Sequence, residues 1–418
     1  MQVKEATAYD VLIVGGGLTG LSLAHALAHL PLRIAMIEAV APHIRDDVAF
    51  DARSVALSLG SQRIFAGLDL WSAMSAQALP IEYIHVSDKG HFGATRLRAS
   101  EQHVPAFGYV VEISHLLSTL ETTLRQKNNI ERICPAKVTG ISTDTTGATT
   151  TLTVTTAQSA QTLTAALVIA ADGGNSTIRQ LLNIKTERED YQQSALIANV
   201  GLAKSHENKA YERFTAEGPL ALLPLTDNRM ALVWTFPRQQ AESMQALADS
   251  EFLRQLQLRF GYRVGRFTQV GKRQLFPLEV IKAHEQIRPG VAIVGNAAHS
   301  LHPIAGQGFN LSLRDVTALA EIIEKAVQQK QALGALSVLQ NYSVWRKQDQ
   351  RRTMLLTQGL IDIFASHFSP VIVARDLGLT LLDITRPFKR YFTRATMGLA
   401  GRLPRLACQR SSVGGENL

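Results

Sequence analysis

Short apolar runs of strand length recur along the chain, and each ends at a glycine or an acidic residue. They occupy residues 10–14, 33–37, 167–171 and 291–294. The first run continues through a glycine-rich turn into residues 18–30, which read as a helix rather than as a membrane span because the stretch contains glycines and histidines. This order of strand, helix and strand predicts an α/β domain.

A second pattern, alternating apolar and polar positions, appears in residues 81–86, 196–202, 220–225 and 230–236. Alternation with a period of two is typical of strands that bury one face. We therefore predict a second, mixed β-sheet, followed by a helical region that includes residues 354–382.

Composition is that of a folded enzyme, with 46% hydrophobic and 19% charged residues among 418. Cys134 and Cys408 lie far apart and belong to no cluster with metal-ligand spacing, so we expect neither a disulfide framework nor a metal site. This cysteine usage predicts a cytoplasmic protein.

The net charge of +8 is concentrated near the end of the chain, where residues 386–410 contain seven basic residues and no acidic one. Aromatic and aliphatic residues are interleaved with these charges. No nucleic-acid motif accompanies them, so nucleic acid is not an expected partner. Two readings remain: an amphipathic segment at an anionic membrane surface, and a solvated helix packed on its own protein.

The first glycine-rich turn has the spacing G-x-G-x-x-G, with Gly15, Gly17 and Gly20 between a strand and a helix. The first glycine allows a tight turn, the second admits a pyrophosphate, and the third allows close packing of helix and strand. Glu38 ends the next strand, where a carboxylate accepts ribose hydroxyls. A dinucleotide site is predicted, with FAD and NAD both open at this point.

Two later segments resemble the single-component flavoprotein aromatic hydroxylases typified by para-hydroxybenzoate hydroxylase. One is Asp172-Gly173 after a strand, and the other is the pair of runs 291–299 and 302–310. The resemblance implies FAD, contacted through Gly295, Asn296, Gly306, Gln307, Gly308 and Asn310. Asn296 stands where the family usually has aspartate, and an amide can still donate and accept hydrogen bonds there.

Within that family the chain is similar to the ubiquinone-biosynthesis hydroxylases. The resemblance is carried by residues 50–57, 212–215, 218–224 and 301–311. It implies that Arg53 contacts FAD and that His302 and Pro303 face the substrate, although a lone histidine is more often structural.

The family layout implies a discontinuous, Rossmann-like FAD-binding domain made of residues 1–80, 105–182 and 272–330. A mixed-sheet substrate domain comprises residues 81–104 and 183–271, and residues 331–418 form a helical C-terminal region. Phe214, Leu222, Pro224 and Trp234 are candidates for the wall of an apolar substrate pocket, with ordinary sheet core as the alternative.

The resemblance implies hydroxylation of a prenylated phenol with O2 through a flavin hydroperoxide, with NAD(P)H as a transient electron donor. It also implies peripheral contact with a membrane or with other enzymes of the pathway. Two alternatives stay open: an FAD-dependent reductase or epoxidase of polyprenyl lipids, and a flavin-binding subunit without turnover. A flavin halogenase is disfavoured because the three tryptophans do not form a W-x-W-x-I-P motif.

Overall fold

The computed structural model describes residues 4–41, 50, 53–144, 148–157, 159–215, 217–301, 306–365 and 368–408. Within these ranges the strands are β1 (Lys4–Val14), β2 (Ile34–Ile37), β3 (Ser54–Ser58), β4 (Leu79–Pro80), β5 (Tyr83–Asp88), β6 (Ala94–Arg98), β7 (Gly108–Glu112), β8 (Ile130–Ile133), β9 (Lys137–Thr143), β10 (Thr150–Thr155), β11 (Ala160–Ala170), β12 (Thr186–Leu202), β13 (Lys209–Thr215), β14 (Gly218–Leu225), β15 (Arg229–Pro237), β16 (Phe267–Val270), β17 (Gln274–Ala283), β18 (Ile287–Arg288), β19 (Val291–Ile293) and β20 (His299–Ser300).

The helices are α1 (Leu18–Leu27), α2 (Leu59–Gly67), α3 (Trp71–Ser75), α4 (Ile113–Leu124), α5 (Thr177–Leu181), α6 (Arg238–Ala246), α7 (Asp249–Phe260), α8 (Gln307–Gln328), α9 (Leu336–Ala365), α10 (Ser369–Ile384), α11 (Arg386–Thr396) and α12 (Arg405–Cys408). Among the described residues, every helix falls short of the length or the apolar character that crossing a bilayer requires.

The first sheet has the strand order β18-β19-β11-β1-β2-β8, with β10 and β9 attached beside β11. Its central pairs are parallel, namely β1 with β2 and β11, β2 with β8, and β11 with β19. Helices α1, α4, α8 and α9 contribute to the apolar core on one face. Strands buried on both faces account for the continuous apolar runs of the sequence and confirm the α/β prediction.

The second sheet, which we call the roof sheet, has the order β20-β17-β12-β15-β14-β13-β5-β6, with β16 paired to β12. Helices α6 and α7 cover its outer face through a core that includes Phe252, Leu256 and Phe260. Its inner face packs on α2, β7 and the segment around Met397. The predicted strands at 196–202, 220–225 and 230–236 all lie in this sheet.

One predicted boundary needs revision, because β17 begins at Gln274 and pairs with β12 in the roof sheet. The sequence boundary at residue 272 assigned this strand to the cofactor domain. We propose that the mixed-sheet substrate domain extends to about Ala283, with the remaining divisions as predicted from the sequence.

The C-terminal helices close the inner side of the roof sheet. The hydroxyl of Thr95 in β6 donates to the carbonyl oxygen of Leu379 in α10 at 2.7 Å. The ring of Phe214 in β13 is stacked on Phe364 of α9 with centroids 3.4 Å apart. The inner face is therefore covered by α2 and β7 together with these helices.

Candidate active site

The first glycine loop connects β1 to α1 in the geometry that its spacing predicts. Gly15 has φ of +107°, and a Cβ there would lie 2.5 Å from the carbonyl oxygen of Ala171. A Cβ on Gly20 would lie 1.8 Å from the carbonyl oxygen of Gly15, whereas one on Gly17 would meet nothing within 4 Å. Two of the glycines are thus required by the fold, and the third leaves open space at the helix start, as a bound pyrophosphate requires.

Glu38 follows β2 at the same edge of the sheet. Its carboxylate accepts hydrogen bonds from the backbone N–H of Gly16 at 2.5 Å and of Val40 at 2.8 Å. These two bonds fix the carboxylate beside the glycine loop. Each oxygen accepts one of them and can still accept a hydrogen bond from a ligand. The position agrees with the predicted role toward a ribose.

Asp172 and Gly173 follow β11, the other neighbour of β1. Asp172 accepts a hydrogen bond through Oδ2 from the backbone N–H of Ile178 at 3.1 Å. Its Oδ1 is buried without a hydrogen-bond partner among the described residues, and burial raises the pKa of the carboxyl group. Gly173 has φ of +83° with open space around its Cβ position. An unpaired buried oxygen beside open space is consistent with a missing polar ligand.

Gly295 and Asn296 follow β19 and lie beside the start of α1. Gly295 has φ of +61°, and a Cβ there would be 2.8 Å from Cγ2 of Thr19. Asn296 is exposed at this edge. Because parallel strands end at one edge, the loops after β1, β2, β11 and β19 converge on a single site.

A buried ionic network holds the loop after β19 against the helices. Asp315 of α8 is fully buried and lies 2.6 Å from Nε2 of His299 and 2.5 Å from Nε of Arg346. Burial opposes its ionisation, but Arg346 and His299 outweigh that effect and lower the pKa of Asp315 to about 2. Sequence reasoning missed this network, because His299 was noted only as part of a fingerprint.

The second glycine loop begins α8 at Gly306, whose φ is +60°. Gly308 has open space around its Cβ position, and Gln307 donates to the carbonyl oxygen of Thr396 at 3.2 Å. Among the residues that the structure describes, no side chain caps the first backbone N–H groups of α8. These donors and the positive end of the helix dipole suit an electron-rich ligand.

Asn310 differs from its predicted role as a direct cofactor contact. Its Oδ1 accepts from the backbone N–H of Ser58 at 2.8 Å and from the Ser61 hydroxyl at 2.7 Å. Its Nδ2 donates to the carbonyl oxygens of Ala56 at 2.8 Å and Gly306 at 2.7 Å. All four hydrogen-bonding positions of the amide are occupied by protein. We assign Asn310 to positioning the loop against β3 rather than to holding the cofactor.

Arg53 lies at the start of β3 with its guanidinium carbon 5.4 Å from the ring centroid of Phe276 in β17. Its side chain is exposed, between the cofactor edge and the roof sheet. His302 and Pro303, the predicted substrate-facing pair, lie outside the described residues.

Three of the four predicted pocket residues lie on the wrong face of the roof sheet. Leu222 and Trp234 belong to the outer core under α6 and α7, and Pro224 shares their face by alternation. Phe214 does lie on the inner face, where it stacks on Phe364. Leu222 and Trp234 therefore belong to ordinary sheet core, which was the alternative to a pocket wall.

A row of partly exposed residues crosses the inner face, and we call it the roof row. Cross-strand pairing aligns its members in order: Gln274, Ile197, Val233, Ala221, Glu212 and Val86. Each member keeps part of its surface accessible, whereas Ala195 and Thr235 on one side and Ala231 and Asn199 on the other are buried. Five spacings of roughly 4.8 Å make the row about 24 Å long.

Glu212 is the one ionisable member of the roof row. Loss of hydration raises the pKa of its carboxyl group to about 7, and no charged neighbour contributes to this change. Within the described ranges no hydrogen bond or ion pair engages the carboxylate. Its side chain lies on the inner face of the roof sheet, which α9 and α10 cover at Phe214 and Thr95. The sequence signal was a lone acid between Ala210 and Phe214 on one strand face.

Comparisons with known proteins agree with this geometry. The fold is that of p-nitrophenol 4-monooxygenase PnpA from Pseudomonas putida, with a TM-score of 0.75 at 18% identity over 95% of this chain and 99% of that one. With the family model and the relatives given next, this fold defines the class as that of the FAD-dependent monooxygenases. The FAD binding domain family model matches residues 8–354, and the chain belongs to that family.

Two curated relatives extend over nearly the whole chain. Ubiquinone hydroxylase UbiL of Rhodospirillum rubrum is 34% identical, covering 93% of this chain and 89% of that protein. The 3-demethoxyubiquinol 3-hydroxylase of Escherichia coli is 30% identical, covering 93% of this chain and 98% of that protein. The resemblance to ubiquinone-biosynthesis hydroxylases and the FAD prediction are confirmed.

Proposed function

We propose that this monooxygenase hydroxylates the ring of a polyprenylated phenol in ubiquinone biosynthesis, at the step from 2-polyprenyl-6-methoxyphenol to the corresponding benzoquinol. Its cosubstrates are O2 and an electron donor, for which NAD(P)H is the candidate. Full-length similarity to two ubiquinone-pathway hydroxylases carries the proposal. The roof row supports it, because its members are apolar except Glu212 and, at one end, Gln274, which suits a lipid-substituted phenol.

In this proposal the cofactor is held by the converging loops. Gly17 and the start of α1 receive the pyrophosphate, Glu38 the ribose, and Asp172 the polar chain toward the ring system. Bound FAD supplies the redox chemistry that activates O2. The start of α8 would lie toward the ring system of bound FAD, and the roof sheet would exclude water from it.

The aromatic ring and the first prenyl units lie along the roof row. Ala221 is small and central, between Val233 and Glu212. Its replacement by leucine fills this space without touching the glycine loops. Ala221→Leu is expected to raise KM for a short-chain 2-prenyl-6-methoxyphenol by about 10-fold or more, since even one misplaced methylene affects a packed site. Ala246→Leu, on the exposed end of α6, is the matched control.

The deciding experiment measures hydroxylation by the purified FAD-loaded enzyme with that phenol, NAD(P)H and isotopically labelled O2. Mass spectrometry is expected to find one labelled oxygen atom in the ring product, with O2 consumption that depends on the phenol. Reduction of the prenyl chain without O2 uptake, or an epoxide on the chain, would refute ring hydroxylation. Loss of NAD(P)H without ring product would refute it also.

We further propose that one surface of α10 and α11 rests on an anionic bilayer. An apolar stripe follows these helices, and each member is more than half exposed: Val373, Leu377, Leu381, Ile384, Phe388 and Tyr391. Arg386, Arg390 and Arg394 are exposed beside it. The acids of these two helices are turned inward, since Asp376 is buried and Asp383 pairs with Arg96.

A bilayer with anionic headgroups complements both features, because apolar side chains enter the interface and each arginine adds about 1 kcal/mol. The test is sedimentation of the holoenzyme with phosphatidylglycerol or phosphatidylcholine vesicles. Binding is expected to the anionic vesicles, with loss in the double variant Ile384→Ser, Phe388→Ser. Leu258→Ser, at an exposed position of α7, is the control. Equal sedimentation of the double variant would refute the assignment.

A further inference from the structure

We propose that Glu212 is a catalytic residue whose carboxylate binds the phenol hydroxyl of the substrate and accepts its proton. This inference rests on the proposed function and names the group that orients the ring. Neither the family motifs nor the comparisons assign a role to this side chain.

The position of Glu212 is fixed by pairing on both sides. It lies opposite Ala221 of β14 and opposite Val86 of β5, in the middle of the roof row. Neither neighbour can hydrogen-bond to it through a side chain. Along its own strand, Ala210 packs toward the cofactor domain and Phe214 is stacked on Phe364. The carboxylate therefore lies between apolar neighbours, and the other polar member of the roof row, Gln274, lies at its far end.

The next charged groups on this face lie beyond Phe214. Asp88 pairs in register with Phe214 and forms an ion pair with Arg375 of α10, and His91 lies 3.9 Å from Asp88. In that cluster Asp88 has Arg375 as a partner, whereas no cation among the described residues pairs with Glu212. A buried carboxyl group without a partner is costly and needs a ligand that supplies a donor. A phenol hydroxyl supplies one donor and little other polarity.

The proposed step transfers one proton from the phenol hydroxyl to Glu212. The O–H bond of the phenol breaks, its proton forms an O–H bond with the Glu212 carboxylate, and the electron pair stays on the phenol oxygen. The resulting negative charge is shared with the ring and makes its ortho and para carbons more nucleophilic. A base whose pKa is close to the working pH is effective in such a transfer.

The test compares the FAD-loaded wild type with Glu212→Gln and with the matched control Glu242→Gln, at an exposed position of α6. Glutamine keeps the shape and can hold the hydroxyl, but it cannot take the proton. We expect kcat/KM to fall by about 100-fold or more in Glu212→Gln. The wild-type profile should rise with pH through about 7, and the variant should lack that rise.

A second readout needs no turnover. A short-chain 2-prenylphenol is titrated into the oxidised holoenzyme, and ultraviolet difference spectra report the hydrogen bond that its hydroxyl donates. In the wild type the phenol absorption is expected to shift to longer wavelength as the pH rises through about 7, where Glu212 becomes ionised, and in Glu212→Gln the spectrum is expected not to change over that range. Identical spectra and kcat/KM values within threefold of each other would overturn the role of Glu212 while leaving the proposed function intact. A wild type that hydroxylates no prenylated phenol would overturn both.

Discussion

Replacing Glu212 by glutamine should stabilise the protein, and the gain should depend on pH. The pKa of this carboxyl group is about 7 in the fold against an ordinary 4.5. A raised pKa means that the folded state binds the proton more tightly, so ionisation opposes folding. The loss of folding free energy caused by ionisation is absent below about pH 4.5. It grows between pH 4.5 and pH 7 and is complete above about pH 7. Its full size is about 3 kcal/mol, at 1.36 kcal/mol for each pH unit.

The assay is urea unfolding of the FAD-saturated wild type and Glu212→Gln at pH 5 and pH 8. Subtracting the free energy of unfolding of the wild type from that of the variant cancels the contributions of titrating groups that the substitution does not affect. The advantage of the variant should be larger at pH 8 by about 2.5 kcal/mol. Glu242→Gln should show no such difference, since its carboxylate is exposed. A pH-independent advantage would refute the reasoning, because it would mean that Glu212 is hydrated like a surface carboxylate.

Three further outcomes follow from the same structure. Asp315→Asn leaves Arg346 buried without its main charge partner and should lower the free energy of unfolding by about 3–5 kcal/mol, measured by urea denaturation. Gly20→Ala places a Cβ 1.8 Å from the carbonyl oxygen of Gly15, so the purified variant should show a lower flavin absorbance per protein. Leu222→Ala should destabilise by about 2–5 kcal/mol with KM unchanged, whereas Leu223→Ala, on the inner face, should raise KM; steady-state kinetics separates the two.

Most of the loops at the carboxyl ends of the parallel strands could be predicted, because each loop is specified by residues that lie close together in the sequence. Gly15, Gly17 and Gly20 are needed within one turn, and each strand before a loop is an uninterrupted apolar run. Parallel pairing then brings Glu38 and Asp172 to the same edge without any further specification in the sequence. Asn310 was the exception, since its four partners come from β3, α2 and the start of α8 and could not be read from spacing.

The strands of the roof sheet could be predicted from the sequence, but which face of each strand packs in the core could not. Alternation shows that Leu222 and Leu223 point in opposite directions, yet it does not say which direction is the core. The larger residues were taken for a pocket wall, although Trp234 packs with Phe236 and Phe252 under α6 and α7. The opposite face carries the partly exposed roof row as well as large residues such as Phe214 and Leu225. Register across five strand pairs, which the sequence does not display, was needed to align the roof row.

The cost of Glu212 is itself an argument about function. A leucine or glutamine at this position would fit between Ala221 and Val86 without the penalty of about 3 kcal/mol that an ionised carboxyl group incurs there. That penalty is a substantial fraction of the 5–15 kcal/mol by which typical folded domains are stable. Structural benefit cannot offset it, since among the described residues no hydrogen bond or ion pair engages the carboxylate. In the role proposed for Glu212 the substrate supplies the offsetting interaction, and the apolar Ala221 and Val86 on either side suit a molecule with a single donor on an otherwise apolar body.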